Sequence, residues 1–231
     1  MDQLSGPSIL RFERVSLAFE DQPALDEVSF ELREGETCVI LGNAGSGKTV
    51  LLKCALGLIR PDAGKIYLFG EEITALGEQA LFDLRARVGV LFQEGGLFDS
   101  LTVEENVAYP LLNQPLLHVS PEQARRRVVE ALEFVELEQT LDKYPSELSG
   151  GMRRRVGIAR AIVANPALVL YDSPTAGLDP ITAHTIISLI IKERDMKNTT
   201  TVIVTHRYKD GTWLDAFRYN PTSGRLEPAA G

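Results

Sequence analysis

Gly42-Asn43-Ala44-Gly45-Ser46-Gly47-Lys48-Thr49 is the stretch that decides how this chain is read. It fits the pattern GxxxxGK[ST], and it stands between a fully apolar run, Thr37–Leu41, and a helical pattern from about Lys48 to Leu58 that ends near Arg60-Pro61. Strand, glycine loop and helix in that order make a phosphate cradle. The glycines let the backbone curl until successive N–H groups face phosphate oxygens, and the helix N-terminus adds a favourable dipole. Lys48 supplies a point charge for the β and γ phosphates of a nucleotide, and Thr49 supplies a hydroxyl to Mg²⁺.

Around this loop the chain reads as one α/β domain. With 231 residues, 44% hydrophobic and 24% charged, it is long enough to bury roughly 70% of its unfolded surface without disulfides or structural metals. Cys38 and Cys54 lie in apolar stretches, and with only His118, His184 and His206 beside them they match no zinc spacing, so both are expected to be buried, reduced thiols. The longest apolar runs, 167–171 and 186–191, fall far short of the ~18–20 residues that cross a bilayer. The first residues, MDQLSGPSILRFERV, lack a basic segment followed by an apolar stretch and a small-residue cleavage site, so the expected place is the cytoplasm. A net charge of −8 argues against nucleic acid as a partner, because that affinity comes largely from phosphate neutralisation.

Short β-rich runs alternate with helical patterns through most of the chain, the mark of a largely parallel α/β sheet. Residues 9–19 and 28–33 differ: they read as strands joined by a turn at 21–23, an antiparallel element ahead of the α/β core. Strands are expected at 64–70 and 88–93, separated by a helix over about 76–87. From Glu94 to Leu148 the pattern is mostly helical, with a helix over 121–135 capped by Ser120-Pro121 and turning Arg125, Arg126 and Arg127 to solvent. Alternation resumes with a helix at 151–164, a strand at 167–172, a helix at 180–193, a strand at 200–205 and a short β-like tail.

A nucleoside triphosphatase of this kind also needs a carboxylate for the metal at the carboxyl end of a buried strand. Ala167-Leu168-Val169-Leu170-Tyr171-Asp172 provides one in Asp172. Leu148-Ser149-Gly150-Gly151-Met152 opens the helix before that strand and makes a second Ser-Gly-Gly anion site. With LSGG lying between the phosphate loop and the Asp172 strand, the chain resembles the ATP-binding cassette (ABC) ATPases from Leu10 to about Pro228. The remaining family positions match in order. Phe19 sits where an aromatic stacks on adenine, with a place in the core as the even alternative; Gln93 follows an apolar strand as the Q-loop glutamine; Ala176-Gly177-Leu178-Asp179 resembles the D-loop; His206 ends a strand as the switch histidine.

The resemblance implies a P-loop NTPase of the ABC type: a mixed RecA-like core with an antiparallel β subdomain over about 1–93 and 149–231, and an inserted helical subdomain over about 94–148. It implies ATP and Mg²⁺, with Gly42, Asn43, Ala44, Gly45, Ser46, Gly47, Lys48 and Thr49 on the phosphates, and Thr49, Gln93 and Asp172 at the metal. It also implies a head-to-tail homodimer in which Ser149, Gly150, Gly151 and Asp179 of one subunit close over ATP held by the other. Separate permease subunits in the inner membrane would dock near Gln93, placing the chain on the cytoplasmic face. Residues 91–111, LFQEGGLFDSLTVEENVAYPL, and the methionine of LSGGM are similar to the Mla or Mkl type cassettes of lipid-trafficking systems, which work with MCE-domain proteins. A soluble ABC-type ATPase in an assembly complex without a permease is the alternative.

The main departure is Ser173. The family carries Glu directly after the metal-binding Asp to orient the attacking water, whereas this chain reads Tyr171-Asp172-Ser173-Pro174. Loss of a positioned general base removes about 10² to 10⁴ in rate while leaving nucleotide binding in place. Slow hydrolysis, with His206 and the phosphate clamps still stabilising the transferred group, is the expected outcome. Substitution by Glu94, or an ATP-gated clamp without useful turnover, are the other accounts. A second departure follows His206, where Gly211 interrupts a stretch that is helical in the family. Arg153, Arg154 and Arg155 form the most basic cluster, expected to be a solvated helix face with salt bridges, and His118 and His184 are expected to have no chemical role.

Overall fold

The computed structural model describes residues 6–20, 22–43, 45–205, 217–220 and 225–228, apart from the side chains of Glu94 and of the last two segments. In chain order the strands are β1 (Ser8–Phe19), β2 (Gln22–Arg33), β3 (Thr37–Leu41), β4 (Ala63–Leu68), β5 (Glu71–Glu72), β6 (Val88–Leu91), β7 (Leu168–Asp172), β8 (Thr200–Thr205), β9 (Phe217–Asn220) and β10 (Arg225–Pro228). The helices are α1 (Lys48–Ala55), α2 (Glu78–Arg85), α3 (Val103–Leu112), α4 (Pro121–Phe134), α5 (Gly150–Ile162) and α6 (Pro180–Lys197). They fall into two compact units, Met1–Arg85 with Asn198–Gly231, and Ala86–Lys197.

In the first unit, alternating apolar residues set the register of a long hairpin. Leu10 faces Leu32, Phe12 faces Phe30, Val15 faces Val28 and Leu17 faces Leu25. Burial of this one face favours that register, since a slip by one residue would turn the apolar set to solvent. The Phe12 and Phe30 rings stack with centroids 4.7 Å apart. The hairpin is the centre of a six-stranded sheet in the order β5-β4-β1-β2-β10-β9. β2 begins at Gln22 rather than Val28, so the turn expected over 21–23 is shorter and Pro23 lies inside the strand, opposite Ala18. The unit also holds the parallel pair of β3 and β8, Thr37 opposite Thr201 through Leu41 opposite Thr205. All residues of both strands are buried, which is why they read as continuous apolar and β-branched runs.

The helix after the glycine loop stops at Ala55, three residues before the expected end. Gly57 adopts φ +64°, and the N–H groups of Gly57 and Leu58 return to Cys54 O and Lys53 O at 2.9 Å each. This is a glycine C-cap, which satisfies carbonyls that the helix end would leave open.

In the second unit β6 and β7 pair in parallel, Val88 opposite Leu168 through Leu91 opposite Tyr171. α5 lies close against β6. A Cβ on Gly89 would stand 2.0 Å from Ala161 O, and one on Gly157 would stand 2.5 Å from Leu91 Cδ1. α3 and α4 both start on reciprocal caps, Thr102 with Glu105 and Ser120 with Gln123. Buried Asn106 ties the preceding loop to α3: its Oδ1 accepts from Phe98 N at 2.8 Å, and its Nδ2 lies 3.0 Å from Phe98 O and 2.9 Å from Thr102 O.

Among the described residues, no helix is long and apolar enough to cross a membrane. Cys38 and Cys54 are free and buried, as their apolar surroundings predict.

Candidate functional site

In the first unit, β3 delivers the chain into the glycine loop and α1 leaves it at Lys48. Lys48 Nζ donates to Gly42 O at 2.8 Å, Asn43 O at 2.6 Å and Ser46 Oγ at 3.1 Å, so the loop wraps the ammonium with its own oxygens. Gly47, with φ +83°, is the N-cap residue of α1 and offers no side-chain acceptor to the first turn. A Cβ there would stand 2.0 Å from Ala24 O. Only glycine allows β2 to approach the loop this closely in a left-handed conformation. Gly45, at φ +79°, has nothing within 4 Å of a Cβ position, which leaves that side of the loop open. Curled backbone, an uncapped helix start and one ammonium together suit phosphate oxygens.

Phe19 lies at the end of β1 opposite Gln22, in the hairpin whose second strand reaches the loop at Ala24. It is 48% exposed. Exposure removes the core alternative and leaves a free aromatic face in the unit that carries the loop. Ala44 and His206 lie outside the described residues, as does the 207–213 segment with Gly211. The Glu94 side chain is also outside them.

In the second unit, α5 and its cap carry three of the other expected positions, Ser149, Gly150 and Gly151. Ser149 is its N-cap, Oγ accepting from Met152 N at 3.2 Å. Gly150 has no atom within 4 Å of a Cβ position, whereas Gly151 faces Thr182 Cγ2 at 2.6 Å. Gln93 is exposed in a 3-10 turn, Gln93–Gly95, just after β6. Gly95 O accepts from Arg160 Nη2 at 3.0 Å, and burial lowers the Arg160 pKa. Asp179 begins α6: its Oδ1 accepts from Ile181 N at 3.1 Å and Thr182 N at 3.0 Å, and its Oδ2 accepts from Thr182 Oγ1 at 2.6 Å. These bonds, the Thr182 hydroxyl foremost, hold the Asp179 carboxyl below its ordinary range.

Asp172 closes β7 and is buried, and Ser173 follows it at 8% exposure with φ +49°. Ser173 Oγ donates to Asp172 Oδ1 at 3.1 Å. A non-glycine residue held in this region costs about 1–3 kcal/mol, so the surrounding bonds must fix it. Ser173 O accepts from Ala176 N at 3.1 Å, and Thr175 O from Leu178 N at 3.2 Å. Two cavities flank the turn. One, of about 530 Å³, is lined by Gln93, Gly150 and Ala176–Leu178, and the other, of about 660 Å³, by Ser149–Met152, Asp179 and Thr182. The second unit thus gathers Gln93, Ser149, Gly150, Gly151 and Asp179 around one turn, while the first gathers Phe19 and the glycine loop.

The three arginines after Met152 are not a solvated face. Arg153 Nη1 donates to Leu148 O at 2.8 Å and Arg155 Nη1 to Val135 O at 3.0 Å. Arg154, 4% exposed, donates through Nη1 to Ser173 O at 3.0 Å and through Nη2 to Ala176 O at 3.1 Å. Each guanidinium answers main-chain carbonyls, and a hydrogen bond to a charged group stabilises by about 1.5–3 kcal/mol. Sequence reasoning missed Arg154. Its signal was position: Arg154, Ile158, Ala161 and Ile162 share one buried stripe of α5.

A family model described as ABC transporter matches residues 25–176. The methionine import ATP-binding protein MetN of Carboxydothermus hydrogenoformans is 44% identical over 186 residues, 80% of this chain and 54% of that protein. The MetN of Mesorhizobium japonicum is 40% identical over 203 residues, 87% of this chain and 54% of that protein. The chain spans about half the length of these curated relatives. Among solved structures, the dimeric post-hydrolysis state of the ATP-binding cassette MJ0796, bound to ADP and phosphate, matches with a TM-score of 0.86 at 31% identity, covering 96% of this chain and 100% of that one.

Proposed function

Because the chain belongs to the ABC transporter family and has the P-loop fold of its ATPases, we propose that it is the ATP-binding subunit of a transporter, coupling ATP binding and hydrolysis to transport by separate permease subunits. The observation that carries this is the combination of the GNAGSGKT loop between β3 and α1 with LSGGM at the start of α5, ahead of the β7 carboxylate. Lys48 and the loop N–H groups hold the phosphates, Phe19 offers a stacking face to the adenine, and His206 and Gln93 act at the γ-phosphate. Thr49, Gln93 and Asp172 are the groups that would hold Mg²⁺, which neutralises phosphate charge when bound. The division into a core, 1–93 with 149–231, and a helical subdomain, 94–148, belongs to the same proposal.

Two copies form a head-to-tail sandwich, with Ser149, Gly150, Gly151 and Asp179 of one closing on nucleotide in the other. The dimeric MJ0796 cassette supports this reading. The chain then sits on the cytoplasmic face of the inner membrane through its permease.

Two cargo classes are open. Lipid or phospholipid trafficking with an MCE-domain partner rests on residues 91–111 and Met152. Import of a small amino acid is favoured by the names of the relatives, methionine import ATP-binding proteins at 44% and 40% identity. Purification of the tagged chain from detergent extract tests the transporter reading and then the cargo. Co-elution of a multi-spanning membrane protein is expected, and a purely soluble complex would overturn it. Co-purified phospholipid and an MCE-domain protein support the first cargo, whereas ATPase activity of the complex that rises with free methionine supports the second.

A further inference from the structure

We propose that Arg154 is a positioning residue for the ATPase reaction: its guanidinium forks across the turn after Asp172 and sets the place of residue 173. The inference rests on the reading of Ser173 as the position next to the metal carboxylate. Arg154 is buried, and its two Nη atoms reach the carbonyls at both ends of the turn, Ser173 O at 3.0 Å and Ala176 O at 3.1 Å. The Ala176 N–H closes the same turn onto Ser173 O at 3.1 Å. Ser173 O therefore accepts from both a main-chain amide and a cation, which opposes any relaxation of Ser173 from φ +49°.

The fork is specific to arginine. Its planar guanidinium presents donors in a fixed geometry to two acceptors at once, whereas a lysine ammonium is a single point charge on a flexible stem. The consequence is also directional. Arg154 is in the first turns of the helix opened by Ser149, Gly150 and Gly151, so the same rigid element carries the LSGG segment and fixes the Asp172–Ala176 turn. Displacing that helix start displaces residue 173 with it, and a 1 Å misplacement of a reacting group costs about 10²-fold in rate.

The test uses the full chain with Arg154→Met and Arg154→Lys, each in the native and the Ser173→Glu background. Hydrogen exchange of the Ala176 and Leu178 amides, Mg-ATP affinity and turnover at saturating ATP are measured on all forms. In Arg154→Met, exchange at Ala176 and Leu178 is expected to rise while exchange over 45–49 is unchanged, with affinity kept within about twofold. The gain from Ser173→Glu, about 10²-fold or more with Arg154 present, is expected to fall below about tenfold with Met at 154, and Lys to be intermediate. A merely structural role would lower both backgrounds by one factor and leave the gain intact. Unchanged exchange at Ala176 and Leu178, or an equal gain with and without Arg154, overturns the proposal. If Ser173→Glu brings no gain in any background although ATP binds, the reading of Ser173 fails, and the exchange data alone then decide whether Arg154 holds the turn. Arg154→Lys keeps the experiment decisive if the Met form does not fold.

Discussion

Ser173 Oγ donates to Asp172 Oδ1 at 3.1 Å, so the side chain that follows the strand-end carboxylate turns back onto it. A hydroxyl in this role orients Asp172 and adds no charge. It cannot take a proton from water at neutral pH, and its reach is one bond beyond Cβ. Ser173 thus supports the carboxylate proposed to hold Mg²⁺, and on that proposal nucleotide binding and nucleotide turnover are separable.

Lys48 is the proposed phosphate ligand. Lys48→Ala removes the only ammonium within the loop, leaving Gly42 O, Asn43 O and Ser46 Oγ without their shared donor. Mg-ATP affinity should fall by at least about tenfold, the equivalent of one charge-assisted hydrogen bond. Fluorescence titration with a labelled ATP analogue reads the change, and an unaltered dissociation constant would remove the phosphate-loop assignment.

Ser149 is proposed to close on the nucleotide of a second copy. Ser149→Arg places a long cation at the exposed start of α5. Binding of ATP by the monomer should persist while the ATP-dependent dimer seen by light scattering is lost. The same change removes the α5 cap, which costs about 1 kcal/mol, so the melting temperature is followed in parallel. An intact dimer would contradict the composite site.

The fold itself was legible wherever the determinant is local. The glycine loop, β3 and β8 were found at their true limits or nearly so, because glycine spacing and continuous apolar runs are read within a few residues. α1 ends earlier than Pro61 suggests because Gly57, in a left-handed conformation, stops it first. Arg154 was out of reach for another reason: its partners are carbonyls 19 and 22 residues further on, and main-chain acceptors leave no mark in a sequence. Cargo was not legible because no residue of a cassette needs to touch it.

Burial also fixes a pH dependence. Desolvation pushes the Cys38 thiol up to about 12 and the Cys54 thiol up to about 11, from an ordinary value of 9.0. The buried Tyr171 hydroxyl is displaced upward in the same way. For all three groups the folded state favours the protonated form; for the two thiols the stabilisation is complete below the unfolded pKa near 9 and is lost as pH climbs towards 11 to 12, and for Tyr171 the loss starts only above its ordinary value of 10.0. The urea midpoint should be flat from pH 7 to about 8.5 and then fall. Both thiols should also resist alkylation at pH 8 until denaturant is added. Rapid labelling of the native chain would show that one of them is accessible.

With Ser173 in the place of a base, this cassette is proposed to hold ATP well and to turn it over slowly. The decisive measurement is steady-state hydrolysis by the native chain beside Ser173→Glu, with Mg-ATP affinity measured on both. Turnover is expected to rise by about 10² to 10⁴ for Ser173→Glu with affinity nearly unchanged. A native chain that is already fast, and a variant no faster, would contradict it.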